Sequence, residues 1–178
     1  MKQCCMLQLI IVECMGLRKK LTQVRKELSL VRGGGNNMKH QNTRLESEGA
    51  EFLVLGHLLI LGIPAYKAYT NMPGHDLEVT NPGKGVSARI SVKSRWRTTA
   101  TGFIIKDFDC EFVVVAKLNR GSKDGSGEIK SPQFFILPVD IVRNVPRDKS
   151  FNKIPFGKIP NFESYENGWD LIKEFLKL

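Results

Sequence analysis

The segment Phe112-Val113-Val114-Val115-Ala116 is a continuous run of apolar residues that ends before a Gly/Ser/Lys loop over residues 119–132. A short apolar run rich in β-branched residues is typical of a strand buried on both faces. An exposed sheet edge this apolar would aggregate, so we expect a neighbouring strand on each side. The segment therefore predicts the centre of a covered β-sheet.

The segments around this strand alternate between strand and helix patterns. We predict a helix over residues 44–61, capped by Asn42 or Thr43. Its apolar residues surround almost the whole circumference, which indicates burial between layers. The remaining predicted elements are strands over residues 63–69, 75–80, 87–96, 111–118 and 133–137, a short helix over 138–145, irregular chain over 146–161 and an amphipathic helix over 169–176. This order predicts an α/β fold of three layers, with a mixed central sheet flanked by helices.

The first 37 residues differ from the rest, because they combine three cysteines, a short apolar run and a glycine-rich stretch just before Met38. A flexible linker or a genuine basic arm would explain them, but we favour Met38 as the true start. We therefore divide the chain into an atypical basic segment (1–37, untranslated or disordered), a domain (38–146) and a C-terminal extension with an amphipathic helix (147–178).

The composition is that of a soluble globular protein, with 42% hydrophobic and 25% charged residues. The net charge of +9 invites a nucleic-acid partner, but more than half of this excess lies in residues 1–37. No stretch approaches the roughly 20 apolar residues that a membrane span needs. The four cysteines show no framework or zinc spacing, which indicates a reducing, cytoplasmic setting.

The strand over residues 87–96 has two chemically different faces, because side chains alternate along a strand. The mainly apolar face carries Ala88, Ile90, Val92, Ser94 and Trp96, and the cationic face carries Arg89, Ser91, Lys93, Arg95 and Arg97. The preceding strand turns Asp76 and Glu78 to one face, so a hairpin would place carboxylates beside these cations. Carboxylates that hold Mg²⁺ beside a lysine are what metal-dependent phosphodiester cleavage needs. A solvated, salt-bridged sheet face explains the same pattern.

Four short motifs follow one another in the chain: Gly49-Ala50-Glu51-Phe52, Gly62-Ile63, Gly74-His75-Asp76-Leu77 and Ile90-Ser91-Val92-Lys93-Ser94. In this order, over about residues 44–145, they resemble the PD-(D/E)XK nuclease superfamily, in its branch of small bacterial endonuclease-like proteins. The resemblance implies a restriction-endonuclease-like fold. It also implies cleavage of DNA with Mg²⁺ or Mn²⁺, and catalysis by Glu51, Asp76 and Lys93.

The same resemblance implies a metal site. Asp76 and Glu51 would be ligands, together with the main-chain carbonyl of Val92. Ser91 departs from the family's motif, since it stands where the second acid is found, two residues before the lysine. Glu78 is the substitute that the sequence offers, because it shares the strand face of Asp76.

The missing acid keeps a second function open, which is a non-catalytic nucleic-acid-binding or interaction module on the same fold. The candidate nucleic-acid contacts are Arg89, Arg95, Trp96 and Arg97, since arginines bind phosphates and tryptophan stacks on bases. Trp96 would equally fill the core. A homodimer would suit duplex cleavage, which needs two strand breaks. His75 should point away from Asp76, to the opposite strand face, which predicts a structural role.

Overall fold

The computed structural model describes residues 42–68, 74–122, 124, 126–148 and 151–178. All of them lie within the compact unit Met38–Leu178. The hypothesis that Met38 is the true start and the interpretation of residues 1–37 both concern residues outside the described ranges. Among the residues that are described, no helix combines the length and the apolar character needed to cross a membrane.

The described residues form an α/β fold. Its elements are α1 (Thr43–Ile60), β1 (Ala65–Lys67), β2 (Leu77–Asn81), β3 (Val86–Arg95), β4 (Gly102–Ile104), β5 (Phe112–Lys117), β6 (Gln133–Pro138), α2 (Val139–Arg143), β7 (Lys153–Pro155) and α3 (Asp170–Leu176). Five strands form one sheet in the order β1-β2-β3-β5-β6, and β4 pairs with β7 in a separate antiparallel ribbon. β3 and β5 are parallel while the other neighbours in the large sheet are antiparallel. The predicted α/β class with a mixed central sheet is confirmed.

β5 lies inside the sheet, as its apolar sequence predicts. Val113, Val114 and Val115 are completely buried. β3 runs along one side of β5 and β6 along the other, so every residue of the strand has a backbone partner on both sides. Alternate residues of β5 feed two different hydrophobic cores, one on each face of the sheet.

Helices cover the first face of the sheet. α1 packs Val54 and Leu58 there, and α3 adds Ile172 and Leu176, all against the side of β5 that carries Val114. Asn42 caps α1 by accepting a hydrogen bond from the backbone N–H of residue 44, which satisfies one of the free donors at a helix start.

The prediction that α1 is buried all round is wrong. Ala50, Val54 and Leu58 are buried, whereas Phe52 and Ile60 are 58% and 86% exposed. The buried residues are spaced by four and form one stripe, which is the only part of a helix surface that a single sheet can reach. The described part of the chain provides no second layer over the opposite stripe.

The second face is covered by the β4–β7 ribbon, the short helix α2 and the turns that follow β7. Phe103 and Ile154, which are register partners in the ribbon, are both completely buried. They join Phe156 and Phe162 over the side of the sheet that carries Phe135. Phe135 and Phe162 stack with their ring centroids 4.2 Å apart.

The expectation of irregular chain over residues 146–161 is therefore wrong at its centre. Residues Lys153–Pro155 form β7, and a 3₁₀ turn follows over Phe156–Lys158. A three-residue strand is too short to show a periodic pattern in the sequence, so its pairing depends on how closely the backbones of β4 and β7 can approach. Gly102 allows this close approach, because a Cβ at this position would lie 2.2 Å from the carbonyl oxygen of Ile154.

Candidate functional site

Asp76 lies directly before β2 and is fixed to β3 by hydrogen bonds. One carboxylate oxygen, Oδ2, accepts from the backbone N–H of Val92 at 2.6 Å and from the Ser91 hydroxyl at 3.3 Å. The Lys93 ammonium lies 3.9 Å from the same oxygen. The strand alternation of β3 explains why Ser91 and Lys93 reach Asp76 from one side of the sheet. The structure thus brings Asp76, Ser91 and Lys93 together.

These three residues line a cavity of about 330 Å³. Its other wall comes from the connection between β4 and β5, which contributes Lys106 and Asp107. Since one water occupies roughly 30 Å³ of liquid volume, the cavity has room for a hydrated ion together with a phosphate group. Lys106 and Asp107 were not identified from the sequence, because they lie in coil, where no periodicity tells which side chains face inward.

Gly74 holds the two walls close together. Its φ of +99° is in the region that favours glycine, and a Cβ there would lie 2.7 Å from Asp109 Cβ. The same Cβ would lie 3.2 Å from Asp107 Oδ2. Any side chain at this position would push the β4–β5 connection away from Asp76.

His75 contributes to the lining of the same cavity as Asp76, and its predicted direction away from Asp76 stays a prediction. Strand alternation does not extend to His75, because β2 begins only at Leu77. Asp76 donates its backbone N–H to the Ile90 carbonyl at 2.9 Å, while Leu77 is the register partner of Ile90. This two-to-one offset is typical of a β-bulge. The His75 Nδ1 atom is buried and has no hydrogen-bond partner within the described part of the chain.

Glu51 projects from α1 but does not line the cavity. Its carboxylate lies 3.1 Å from the Lys67 ammonium, and Lys67 also pairs with Glu48. Burial raises the pKa of Glu51, the hydrogen bond from Lys67 opposes this, and the negative charge of Asp76 raises it further. Glu51 is therefore near enough to Asp76 to feel its charge, although its direct partner is Lys67. Lys67 was also missed by the sequence analysis, because β1 has only three residues.

The other expected metal ligands have different surroundings. Glu78 is exposed and opposite Arg89 in the β2–β3 register, outside the lining of the cavity. The N–H of Val92 points at Asp76, and a strand residue directs its N–H and C=O to the same edge, so the Val92 carbonyl faces that edge too. Within the described residues, no group of three or more His, Cys, Asp or Glu side chains is arranged to hold a metal.

The described oxygen groups at the cavity could hold a divalent ion only in an open site, because they do not form a closed cage. Mg²⁺ prefers oxygen ligands, keeps several waters, and is usually bound by one or two carboxylates together with substrate phosphates. Asp76 and Asp107 provide two carboxylates in one cavity, and the Val92 carbonyl is a further oxygen at its side.

Arg89, a candidate nucleic-acid contact, is engaged in ion pairs. Its guanidinium pairs with Asp109 and, at 3.0 Å, with Glu111, and its backbone N–H donates to Glu111 at 2.6 Å. The hydrogen bond to Glu111 is the main reason why the pKa of Arg89 is raised. These contacts join β3 to the segment that leads into β5.

Arg95, Trp96 and Arg97 line a second cavity, of about 510 Å³, to which Lys153 adds another cation. Ile104 belongs to the lining of both cavities, so the two adjoin at β4. Burial lowers the pKa of Arg95, whose Nε atom is buried and without a hydrogen-bond partner among the described residues. Trp96 packs partly against the core beneath α1 while it also lines this cavity.

No family model matches the chain, and no curated protein matches it. Among solved structures, the chain is similar to a bacterial homing endonuclease, I-Ssp6803I, with a TM-score of 0.48 and 20% sequence identity. The similarity covers 75% of this chain and 92% of that chain.

Proposed function

We propose that the cavity beside Asp76 and Lys93 hydrolyses phosphodiester bonds of DNA with the help of Mg²⁺ or Mn²⁺. The observation that carries this proposal is the arrangement around Asp76 Oδ2. That oxygen is held by the Val92 N–H at 2.6 Å and lies 3.9 Å from the Lys93 ammonium, at the wall of a cavity of about 330 Å³. A fixed carboxylate, a lysine and space for a phosphate are the parts that this reaction needs.

In the proposed reaction, water gives up a proton to solvent and attacks phosphorus, a new P–O bond forms, and the P–O bond to the sugar oxygen breaks as that oxygen takes up a proton from solvent. The bound divalent ion would supply a Lewis acid for the phosphate and a lowered pKa for the attacking water. Asp76 would bind the ion, and its two hydrogen bonds to β3 keep the carboxylate in place. Lys93 would bind a phosphate oxygen and stabilise the charge that grows there.

Glu51 would act beside Asp76 through its charge. Two negative side chains near one point attract a divalent cation more strongly than one does. Because Lys67 already neutralises part of the charge of Glu51, we assign Glu51 to the surroundings of the metal and Asp76 to direct binding.

The second cavity would hold the neighbouring part of the nucleic acid. Arg95, Arg97 and Lys153 provide cations for phosphates, and Trp96 provides a ring for stacking. Because the two cavities adjoin at Ile104, a DNA strand cut in the first would continue into the second. A homodimer would supply the two sites that duplex cleavage needs.

A second candidate is a nucleic-acid-binding module that does not cut. Ser91, which replaces the motif's acid, is 2% exposed and hydrogen-bonds to Asp76. The described residues also contain no group of three potential metal-ligating side chains. A binding module would keep the cations Lys93, Arg95 and Arg97 and lack the metal.

Cleavage of linear, branched and single-stranded DNA, measured with Mg²⁺ and with Mn²⁺, tests the proposal. We expect the wild-type chain to cut, and Lys93→Ala to cut about 100-fold more slowly because it loses a group that stabilises transition-state charge. Lys84→Ala is the matched control, since Lys84 is exposed in the β2–β3 turn, and it should cut normally. Wild-type protein that binds these DNAs but cuts none of them with either ion would support the binding module instead.

A further inference from the structure

Asp107 is the second carboxylate of the cavity. It lies in the connection between β4 and β5 and lines the cavity together with Asp76 and Lys93. Asp107 is exposed, and its Oδ1 atom accepts a hydrogen bond from the backbone N–H of Asp109 at 3.0 Å, which restricts the rotation of the side chain. The other oxygen, Oδ2, is directed at the Gly74 backbone, on the side of the cavity where Asp76 lies.

The charges around the cavity favour such a group. Lys93 and Lys106 both line it, so Asp76 alone would leave the lining with a net positive formal charge. Asp107 brings the formal charge of the four side chains to zero, and Glu51 adds a further negative charge nearby. The lining therefore no longer repels a divalent cation.

We propose that Asp107 is the second metal-binding carboxylate of this site and replaces the acid that Ser91 lacks. This inference rests on the proposed function, because it names a further ligand of the same metal. The acid reaches the metal from the β4–β5 connection, across the cavity from β3. Glu78, the substitute suggested by the sequence, lies opposite Arg89 and outside the cavity lining, so it does not take this role.

Binding of Mn²⁺ to the full-length protein, measured by the electron paramagnetic resonance of the free ion, tests the inference without relying on activity. Asp107→Asn removes the charge but keeps the oxygen that accepts from the Asp109 N–H. We expect its Kd for Mn²⁺ to rise about tenfold or more, because Mg²⁺-type sites depend on charged carboxylates. The matched control is Asp140→Asn, since Asp140 is exposed on α2 and pairs with Arg143; its Kd should not change.

Asp107→Cys gives a positive signal that does not depend on the asparagine variant. Thiolate ligands select soft metals, so this variant should lose Mn²⁺ affinity and gain affinity for Cd²⁺. Asp140→Cys adds the same thiol elsewhere and should gain nothing. The native thiols Cys4, Cys5, Cys14 and Cys110 are present in both cysteine variants, so the comparison with Asp140→Cys removes their contribution.

The outcomes separate this inference from the proposed function. Wild-type protein that binds no Mn²⁺ and cuts no DNA would overturn both. Three results together would overturn only the role of Asp107. Wild-type protein would bind Mn²⁺ and cut DNA, Asp107→Asn would bind Mn²⁺ equally well, and Asp107→Cys would gain no affinity for Cd²⁺. A gain of Cd²⁺ affinity at Asp107→Cys, with none at Asp140→Cys, would support it.

Discussion

The two walls of the cavity are built by different kinds of structure. The first wall belongs to strands, where backbone pairing between β2 and β3 sets the positions of Asp76, Ser91 and Lys93. The second wall, with Lys106 and Asp107, belongs to coil between β4 and β5. The strand wall is held by a repeating ladder of hydrogen bonds, whereas the coil wall depends on a few individual contacts.

The contacts that fix the coil wall can be named. Gly74 allows the close approach of Asp107 and Asp109 to the segment before β2. Arg89 then pairs with Asp109 and Glu111, which ties the end of the connection to β3. A change at one of these contacts should therefore damage the site more than a change in the strand ladder, where neighbouring bonds remain.

The largest effect should come from Gly74→Ala, which breaks the approach of the two walls. The new Cβ would lie 2.7 Å from Asp109 Cβ at a φ of +99°, so we expect a loss of about 1–3 kcal/mol in the free energy of unfolding. Urea denaturation would measure it. Mn²⁺ affinity should fall as well, because Asp107 moves away from Asp76.

Gly83→Ala is the matched control for that variant. Gly83 lies in the β2–β3 turn, and a Cβ there would meet only Asn81 Oδ1, at an ordinary 3.5 Å. Its unfolding free energy should change by at most about 0.5–1 kcal/mol, in either direction. Equal losses at the two glycines would mean that the walls do not depend on the approach at Gly74.

The strand wall was predictable from the sequence, because the alternation of side chains along a strand shows which residues share a face. Residues 91 and 93 share a face in any strand, and a hairpin with the preceding strand places Asp76 beside them. Strand alternation carries no information on His75, since a bulge at Asp76 interrupts it. Alternation also could not identify Asp107, whose position depends on a glycine contact made 33 residues earlier in the chain, at Gly74.

The main elements of the fold were predictable because their sequences show a clear apolar pattern. The elements that the prediction missed lack such a pattern. The apolar run of β5 and the long apolar helix α1 identified the mixed sheet and its covering helix. The β4–β7 ribbon was missed, because each strand has three residues and their pairing joins positions about 50 residues apart. Segments whose structure depends on distant partners carry little local signal.

An intermediate effect should come from Glu111→Gln, which weakens the tie between the coil wall and β3. Glutamine keeps one acceptor for the Arg89 N–H but turns an amide donor toward the Arg89 guanidinium. Charged hydrogen bonds contribute about 1.5–3 kcal/mol when buried. Because the Arg89 side chain is 38% exposed, we expect a loss of about 1–2 kcal/mol in urea denaturation at neutral pH.

The effect of Glu111→Gln should also depend on pH. Burial alone would raise the pKa of Glu111, but its hydrogen bonds with Arg89 outweigh burial and lower that pKa below the ordinary 4.5. The carboxylate therefore stabilises the fold above about pH 4.5 and loses this contribution as the pH falls through the lowered pKa. The difference between wild type and variant should shrink in acid. A difference that stays constant would contradict the role of the ion pair.

The smallest effect should come from Ser91→Ala, which changes the strand wall and leaves its ladder intact. The Ser91 hydroxyl donates to Asp76 at 3.3 Å, near the long limit of a hydrogen bond, while the shorter bond from the Val92 N–H at 2.6 Å remains. We expect a loss of at most about 1 kcal/mol in the free energy of unfolding. Mn²⁺ affinity, measured by the resonance of the free ion, should stay within about threefold of wild type, because Asp76 keeps its position and Asp107 supplies the second charge. A tenfold loss of affinity would instead indicate that the Ser91 hydroxyl binds the metal itself or is essential for its binding. Metal binding in the cavity would then depend on β3 more than on the coil wall.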